Sequence, residues 1–165
     1  ANHDPLTNMP NRSFLETNLQ QSLAQAKRDN SRVCLFFVDV DRFKIVNDVY
    51  GHAIGDKVLV IIAKRLLEAV READLVGRLS GDEFLVVLNN IVDKKDAHLL
   101  AEKICSLVEQ AMLIDALSLQ VTVSIGIAFY PDDVEDTEQL LRYADQAMYA
   151  AKRAGGNRVW SLFSK

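Results

Sequence analysis

The chain is predicted to fold as an α/β (α+β) sandwich on one mixed central sheet flanked by helices, and three observations carry that reading. Apolar segments switch between helical and strand period in the order helix, strand, helices, hairpin, helix, strand, helix, strand. Of the 165 residues, 49% are hydrophobic, which suffices for the core of one ordinary domain spanning 1–165. The run Arg78-Leu79-Ser80-Gly81-Asp82-Glu83-Phe84 puts two acidic side chains in a tight turn between apolar stretches at 74–79 and 84–88, the pattern of a β-hairpin.

Taken in order, residues 4–10 are too proline-rich for helix and predict an ordered loop. Asn11 then caps a helix to about 29, with Leu15, Leu19, Leu23 and Ala26 on one face. A strand at 33–38 leads to a short helical piece at 42–49. Gly51 breaks the pattern, and a long helix from about Gly55 buries Val58, Ile62, Leu66 and Ala69. After the hairpin, a helix at 94–110 turns Ala97, Leu100, Ala101, Ile104, Leu107, Val108 and Ala111 inward. Residues 121–129 alternate large apolar with small side chains, as in a strand with one core face and one face closely approached by another element. The acidic run Asp132, Asp133, Glu135, Asp136 reads as a solvated loop, with Asp136 and Gln139 at capping-box spacing. The last helix turns Leu140, Leu141, Ala144, Ala147, Met148 and Ala151 inward, carries Lys152 and Arg153 in its final turn and stops at Gly155-Gly156. A strand at 158–163 closes the count.

Composition excludes several function classes. The net charge of −4, from 19 basic and 23 acidic side chains interspersed, argues against a nucleic-acid footprint. No stretch of about 18 apolar residues occurs, so this domain makes no membrane contact of its own, and the start lacks a signal-peptide pattern. A cytoplasmic domain is expected, free or as the cytoplasmic part of a membrane-anchored protein. Cys34 and Cys105 lack metal-ligand spacing and read as buried free thiols. The opening Ala-Asn-His-Asp and the close at Ser164-Lys165 read as cut points within a longer protein.

Carboxylates at the ends of buried strands are costly unless a cation or phosphate ligand offsets them. Asp39 and Asp41 close the first strand, and Asp82 and Glu83 sit on a hairpin that can lie alongside it. Each half alone is commonplace, since Asp at a strand end often caps the next helix; together they suit Mg²⁺ held against a nucleoside triphosphate. Between strand and helix, Asp39-Val40-Asp41-Arg42-Phe43-Lys44 offers backbone N–H groups to phosphate oxygens, with Lys44 adding positive charge.

These segments, with Asp4-Pro5-Leu6-Thr7-Asn8-Met9-Pro10-Asn11-Arg12, Asn47-Asp48, Gly51-His52-Ala53-Ile54-Gly55-Asp56, Ser80-Gly81-Asp82-Glu83-Phe84, Ser124-Ile125-Gly126-Ile127-Ala128 and residues 144–152, resemble a GGDEF domain of the diguanylate cyclase family over essentially the whole chain. The resemblance implies a fold related to the palm of nucleotidyl cyclases and polymerases, and condensation of two GTP into cyclic di-GMP with release of pyrophosphate. Carried over by position, Asp39 and Asp82 bind Mg²⁺, or Mn²⁺ in its place, with the Val40 carbonyl as a further ligand and Glu83 serving a second ion. The implied catalytic groups are Asp82, Glu83 and Lys44; the family sets a proton acceptor at Asp82, although a metal-bound carboxylate of ordinary pKa is a poor base. Arg42, Phe43 and Lys44 would hold the β and γ phosphates, Gly81 would let substrate approach, and Lys152 would add a second cation. Asn47 and Asp56 match the guanine-binding positions, and His52 a substrate-associated one.

Blander readings stand beside these. Asn47 and Asp56 would otherwise cap the helices around Gly51, His52 would bond the loop, and Lys152 would complement a helix dipole. Arg71-Glu72-Ala73-Asp74 resembles the family's RxxD inhibitory site for cyclic di-GMP, where the default is a surface ion pair. Two departures from the family pattern are Ser80, in place of the signature's first glycine, and Gly156, where many relatives carry a basic residue. The implied partners are GTP, cyclic di-GMP, a second copy as the catalytic homodimer, and an attached sensory or EAL phosphodiesterase domain. The alternatives are a regulatory module that binds GTP or cyclic di-GMP without turnover, and a Mg²⁺-dependent palm with another substrate, which leaves Asn47, Asp56 and the RxxD site unexplained.

Overall fold

The computed structural model describes residues 1–163 and contains every predicted element. Ser164 and Lys165, read above as a cut point, lie outside the described residues. In chain order the elements are α1 (Arg12–Asp29), β1 (Val33–Val40), α2 (Phe43–Tyr50), α3 (His52–Ala69), β2 (Leu75–Ser80), β3 (Glu83–Leu88), α4 (Lys94–Glu109), β4 (Met112–Ile114), β5 (Leu117–Leu119), β6 (Val123–Tyr130), α5 (Thr137–Arg153) and β7 (Arg158–Ser161).

The main sheet runs β2-β3-β1-β6-β7 and is antiparallel except for the parallel β6/β7 pair. Strand β1 lies at its centre, and its period-two alternation divides the core. Cys34, Phe36, Val38 and Val40 join Val58 and Ile62 of α3 and Ala101 and Ile104 of α4 in one layer. Val33, Leu35 and Phe37 join Leu15 and Leu19 of α1 and Leu140 and Ala144 of α5 in the other. With helices on both faces, β1 and β6 read as nearly continuous apolar runs.

The caps form as expected. Asn11 accepts from the Phe14 N–H at 3.1 Å, and Asp136 accepts from the Gln139 N–H at 2.8 Å. Gln139 returns its side chain to the Glu135 N–H at 2.9 Å, one residue before the cap itself. The close approach expected on β6 occurs at Gly126, where a Cβ would collide with the Ala144 carbonyl and the Met148 N–H of α5. Both cysteines are buried free thiols, and burial pushes Cys105 up to about 12. Among the described residues no helix is long and apolar enough to cross a membrane.

The differences have local causes. Helix α3 starts at His52, because Gly51 at φ +90° reverses the chain in one residue and its carbonyl already accepts from the Gly55 N–H. The β4–β5 hairpin is additional; three-residue strands are too short to register a period, and Ala111, expected inside α4, lies beyond its end and is exposed. Strand β7 stops at Ser161 rather than 163. The acidic loop is pinned rather than merely solvated: Asp132 pairs with Arg32 at 2.8 Å and Lys94 at 3.4 Å, and Asp133 accepts from the Phe129 N–H.

Gly126→Val should therefore lower the unfolding free energy by about 3 kcal/mol, since the added side chain overpacks against helix backbone. Urea titration reads the change, and an unaltered midpoint would contradict the seating of α5 on β6.

Candidate functional site

The register of β1 against β3 pairs Asp39 with Glu83, and the Val40 N–H donates to the Asp82 carbonyl at 3.2 Å. The hairpin turn thus lies beside the end of β1, which brings Asp39, Asp82 and Glu83 together. The Asp39 Oδ1 atom is buried and has no hydrogen-bond partner among the described residues. Lys152 Nζ stands 3.6 Å from it, inside ion-pair range but beyond hydrogen-bond reach. Burial pushes the Asp39 carboxyl up to about 7, the charge of Asp82 adds to this, and Lys152 only partly offsets them. Asp39 is therefore the carboxyl of the group that holds a proton unusually well.

Asp41, two residues on, has the opposite environment. It accepts from Ser124 Oγ at 2.6 Å, Thr122 Oγ1 at 2.7 Å and the Asn157 N–H at 2.9 Å, with Lys152 Nζ at 3.3 Å. Burial alone would raise this carboxyl, but the donors outweigh it and hold it below the ordinary range. Its part in the site is structural, tying β6 and the end of α5 to β1. Sequence reasoning grouped Asp41 with Asp39 and missed this role; the signal was the pair of hydroxyl residues spaced two apart, Thr122 just before β6 and Ser124 within it. Gly156 is buried against the same carboxylate.

The hairpin tip is braced from two directions. Gly81, exposed, has φ +43°, the left-handed backbone that a two-residue reversal between Ser80 and Glu83 favours. Arg78 Nε donates to the Gly81 carbonyl at 2.8 Å, while its Nη1 reaches both oxygens of Asp4 at 3.1 and 3.2 Å. Burial opposes charge on Asp4, yet donors from Thr7 and Arg78 bring its carboxyl below the usual value. The predicted ordered loop at 4–10 is thereby a buttress for the turn. Ser80 Oγ donates to Glu83 Oε1 at 2.7 Å, so the serine engages the acidic group rather than obstructing the turn.

Arg42, at φ +55°, precedes α2, and Phe43 packs its ring toward the core at the helix start. Lys44 is exposed and pairs with Asp48 at 2.9 Å rather than with the carboxylate group. Asn47 Oδ1 occupies the space that a side chain on Gly55 would need, which sets it between α2 and α3. His52 and Asp56, on the first turns of α3, are exposed. Lys152, in the last turn of α5, reaches the Val40 carbonyl at 3.4 Å as well as the two aspartates.

Arg71 and Asp74 lie apart from this group, at the opposite end of β2 and about 20 Å away by the rise of six strand residues. Arg71 forks onto Asp74 at 2.7 and 2.9 Å and donates to the Asn89 carbonyl, and the Asp74 side chain is fully enclosed.

Among the described residues no group of three or more His, Cys, Asp or Glu side chains is arranged to hold a metal ion. The donors present are two carboxylates, Asp39 and Asp82, and the Val40 carbonyl, with the Asp39 Oδ1 atom lacking a hydrogen-bond partner. That set fits Mg²⁺, which keeps several waters and binds through one or two carboxylates plus substrate phosphates.

In sequence and in fold the chain is similar to known proteins. The diguanylate cyclase GGDEF-domain family matches residues 1–158. In Pseudomonas aeruginosa, the bifunctional diguanylate cyclase/cyclic di-GMP phosphodiesterase MucR is 44% identical over 157 residues, 95% of this chain and 23% of MucR. Diguanylate cyclase TpbB of that organism is 44% identical over 160 residues, 96% of this chain and 37% of TpbB. The chain thus spans roughly a quarter to a third of these relatives. The GGDEF domain of TpbB superposes with a TM-score of 0.94 at 41% identity, covering 96% of this chain and 93% of that one. The GGDEF domain of DgcB from Caulobacter crescentus in complex with c-di-GMP gives a TM-score of 0.93 at 31% identity, covering 99% and 97%. A palm-like mixed sheet whose β1 end meets an acidic hairpin, matched over nearly its whole length, makes this chain a member of the diguanylate cyclase GGDEF-domain family.

Proposed function

We propose that the chain is one half-site of a cytoplasmic diguanylate cyclase that condenses two GTP into cyclic di-GMP and pyrophosphate. The observation that carries this reading is the buried Asp39 Oδ1, without a hydrogen-bond partner among the described residues, beside Asp82 at the end of β1. A carboxylate desolvated against a second one is unfavourable by itself and suits a site completed by a divalent cation. Held by Asp39, Asp82 and the Val40 carbonyl, with Glu83 available to a second ion, Mg²⁺ or Mn²⁺ would neutralise triphosphate charge and acidify the attacking 3′-hydroxyl.

The chain's own groups supply the rest. The first N–H groups of α2, from Arg42 to Lys44, lack intrahelical partners and would receive β and γ phosphate oxygens. Lys152, already between Asp39 and Asp41, would add charge there, and Lys44 would leave Asp48 to reach phosphate. Asn47 and Asp56 would read guanine, the carboxylate accepting from N1 and N2 hydrogens that adenine cannot offer in the same way. His52 at the mouth of α3 and Gly81 at the turn would border the nucleotide. Each half-site holds one GTP, so each 3′-hydroxyl must attack the α-phosphorus on a second copy, and catalysis requires a homodimer. Arg71 and Asp74 would receive cyclic di-GMP as an inhibitor, and sensory or EAL domains would adjoin this one in the whole protein. The chain itself, 1–165, would form the single GGDEF domain.

GTP and Mg²⁺ supplied to a forced dimer should yield cyclic di-GMP, and Asp82→Ala should cut the rate by about a hundredfold or more. Nucleotide binding without product in that dimer would instead make the chain a regulatory module.

The raised Asp39 carboxyl gives a pH dependence. Its folded-state value of about 7 lies above the unfolded one, so without cation the domain loses stability as pH climbs from the ordinary carboxylate range through 7. Cation binding must displace the proton, so Mn²⁺ affinity measured by calorimetry should rise between pH 6 and 8 and level off above. A flat profile would show Asp39 already ionised. Arg71→Ala should weaken cyclic di-GMP binding by about tenfold or more, as loss of a charged bidentate donor does, while GTP turnover at low product concentration is retained.

A further inference from the structure

We propose that Ser80 is a positioning residue for the cation site, its hydroxyl holding one oxygen of Glu83 so that the other stays available to a cation bound beside Asp39 and Asp82. The inference rests on the cyclase reading above and concerns the one place where this chain's signature departs from glycine.

Ser80 and Glu83 face each other across the two-residue turn, and Ser80 Oγ donates to Glu83 Oε1 at 2.7 Å. No other hydrogen bond to the Glu83 carboxylate is made among the described residues, so its second oxygen keeps its acceptor capacity. Glu83 is a long side chain with three rotatable bonds, and it sits opposite Asp39 in the sheet register. Repulsion from Asp39 and Asp82 favours rotamers that swing it outward. Asp145 on α5 adds to that repulsion, its carboxyl raised by burial and then by the charge of Glu83. A hydroxyl on the adjacent strand end counters the swing and removes rotamer freedom before a cation arrives. Glycine at position 80 offers no such donor. The turn itself keeps its shape, because its left-handed residue is Gly81 and its braces come from Arg78.

The test compares the chain with Ser80→Ala, Ser80→Gly and Ser80→Thr by Mn²⁺ binding, read by electron paramagnetic resonance in the presence of a non-cyclisable α,β-methylene GTP analogue. Ser80→Ala and Ser80→Gly should bind Mn²⁺ roughly tenfold more weakly, the usual scale for losing a group that orients a ligand, and Ser80→Thr should restore the wild-type value. Thermal unfolding should be the same for all four, which separates positioning from a structural role. Equal affinity in Ser80→Ala would overturn the inference, and so would tighter binding, which would make the hydroxyl a competitor of the cation. If the folded wild-type chain takes up neither Mn²⁺ nor the analogue, the cyclase reading falls, and this inference with it.

Discussion

The pairing of β1 with β3 decides where every acidic group of the proposed site falls. It sets Asp39 opposite Glu83 and ties Val40 to the Asp82 carbonyl, so carboxylates 43 residues apart in sequence meet at one strand end. A slip of one residue would turn Asp39 to the other face of the sheet, into the layer built by Phe36 and Val38. The register is protected because β1 is apolar on both faces and each face is matched by its own helices. Packing energy from the whole sandwich is thereby spent on keeping like charges close together.

Holding such a group needs supports that are not themselves acidic. Asp41 shows how the chain separates the two tasks: three hydrogen bonds and Lys152 satisfy it fully, whereas Asp39 keeps a bare oxygen a short distance away. The same strand end therefore contains one carboxylate committed to the fold and one available for binding. On the hairpin side, Asp4, Arg78 and the Gly81 carbonyl form a chain of contacts from the first ordered loop to the turn. The turn consequently does not depend on its own two residues for its position.

Much of this was legible because it follows from local rules. The α1 and α5 caps, the inward faces of the helices and the hairpin turn are set by residues close together in sequence, and Gly126 betrayed its close contact by being small amid large apolar neighbours. The carboxylate cluster was legible only in combination, since Asp39 and the Asp82-Glu83 pair gain meaning when β1 and β3 adjoin. What stayed hidden depended on partners remote in sequence. The donors to Asp41 come from 81 and more residues away. The Ser80 bond to Glu83 is the exception, spanning only three residues, yet nothing in the sequence marks that serine as a donor rather than a mere substitute for glycine. The β4–β5 hairpin was missed for a different reason, its strands being shorter than one full period of any pattern.

The placement of Arg71 and Asp74 at the far end of β2 bears on the proposed inhibition, because one strand connects that pair to the turn. Strand β2 is the sheet edge, paired only with β3, and it runs from Asp74 directly to Ser80. Its pairing is regular until the register shifts between Arg78 and Ser80, where the strand meets its brace from Asp4. A ligand that recruits Arg71 must take it from Asp74 and from the Asn89 carbonyl at the end of β3, loosening the tie between the two strands at their base. Any resulting shift of β2 along β3 would reach the hairpin at the irregular step, the point least able to absorb it through ladder hydrogen bonds. Were cyclic di-GMP to bind there as proposed, inhibition by this route would require no second contact with the nucleotide, because Ser80 and Glu83 stand on the two strands whose alignment would change.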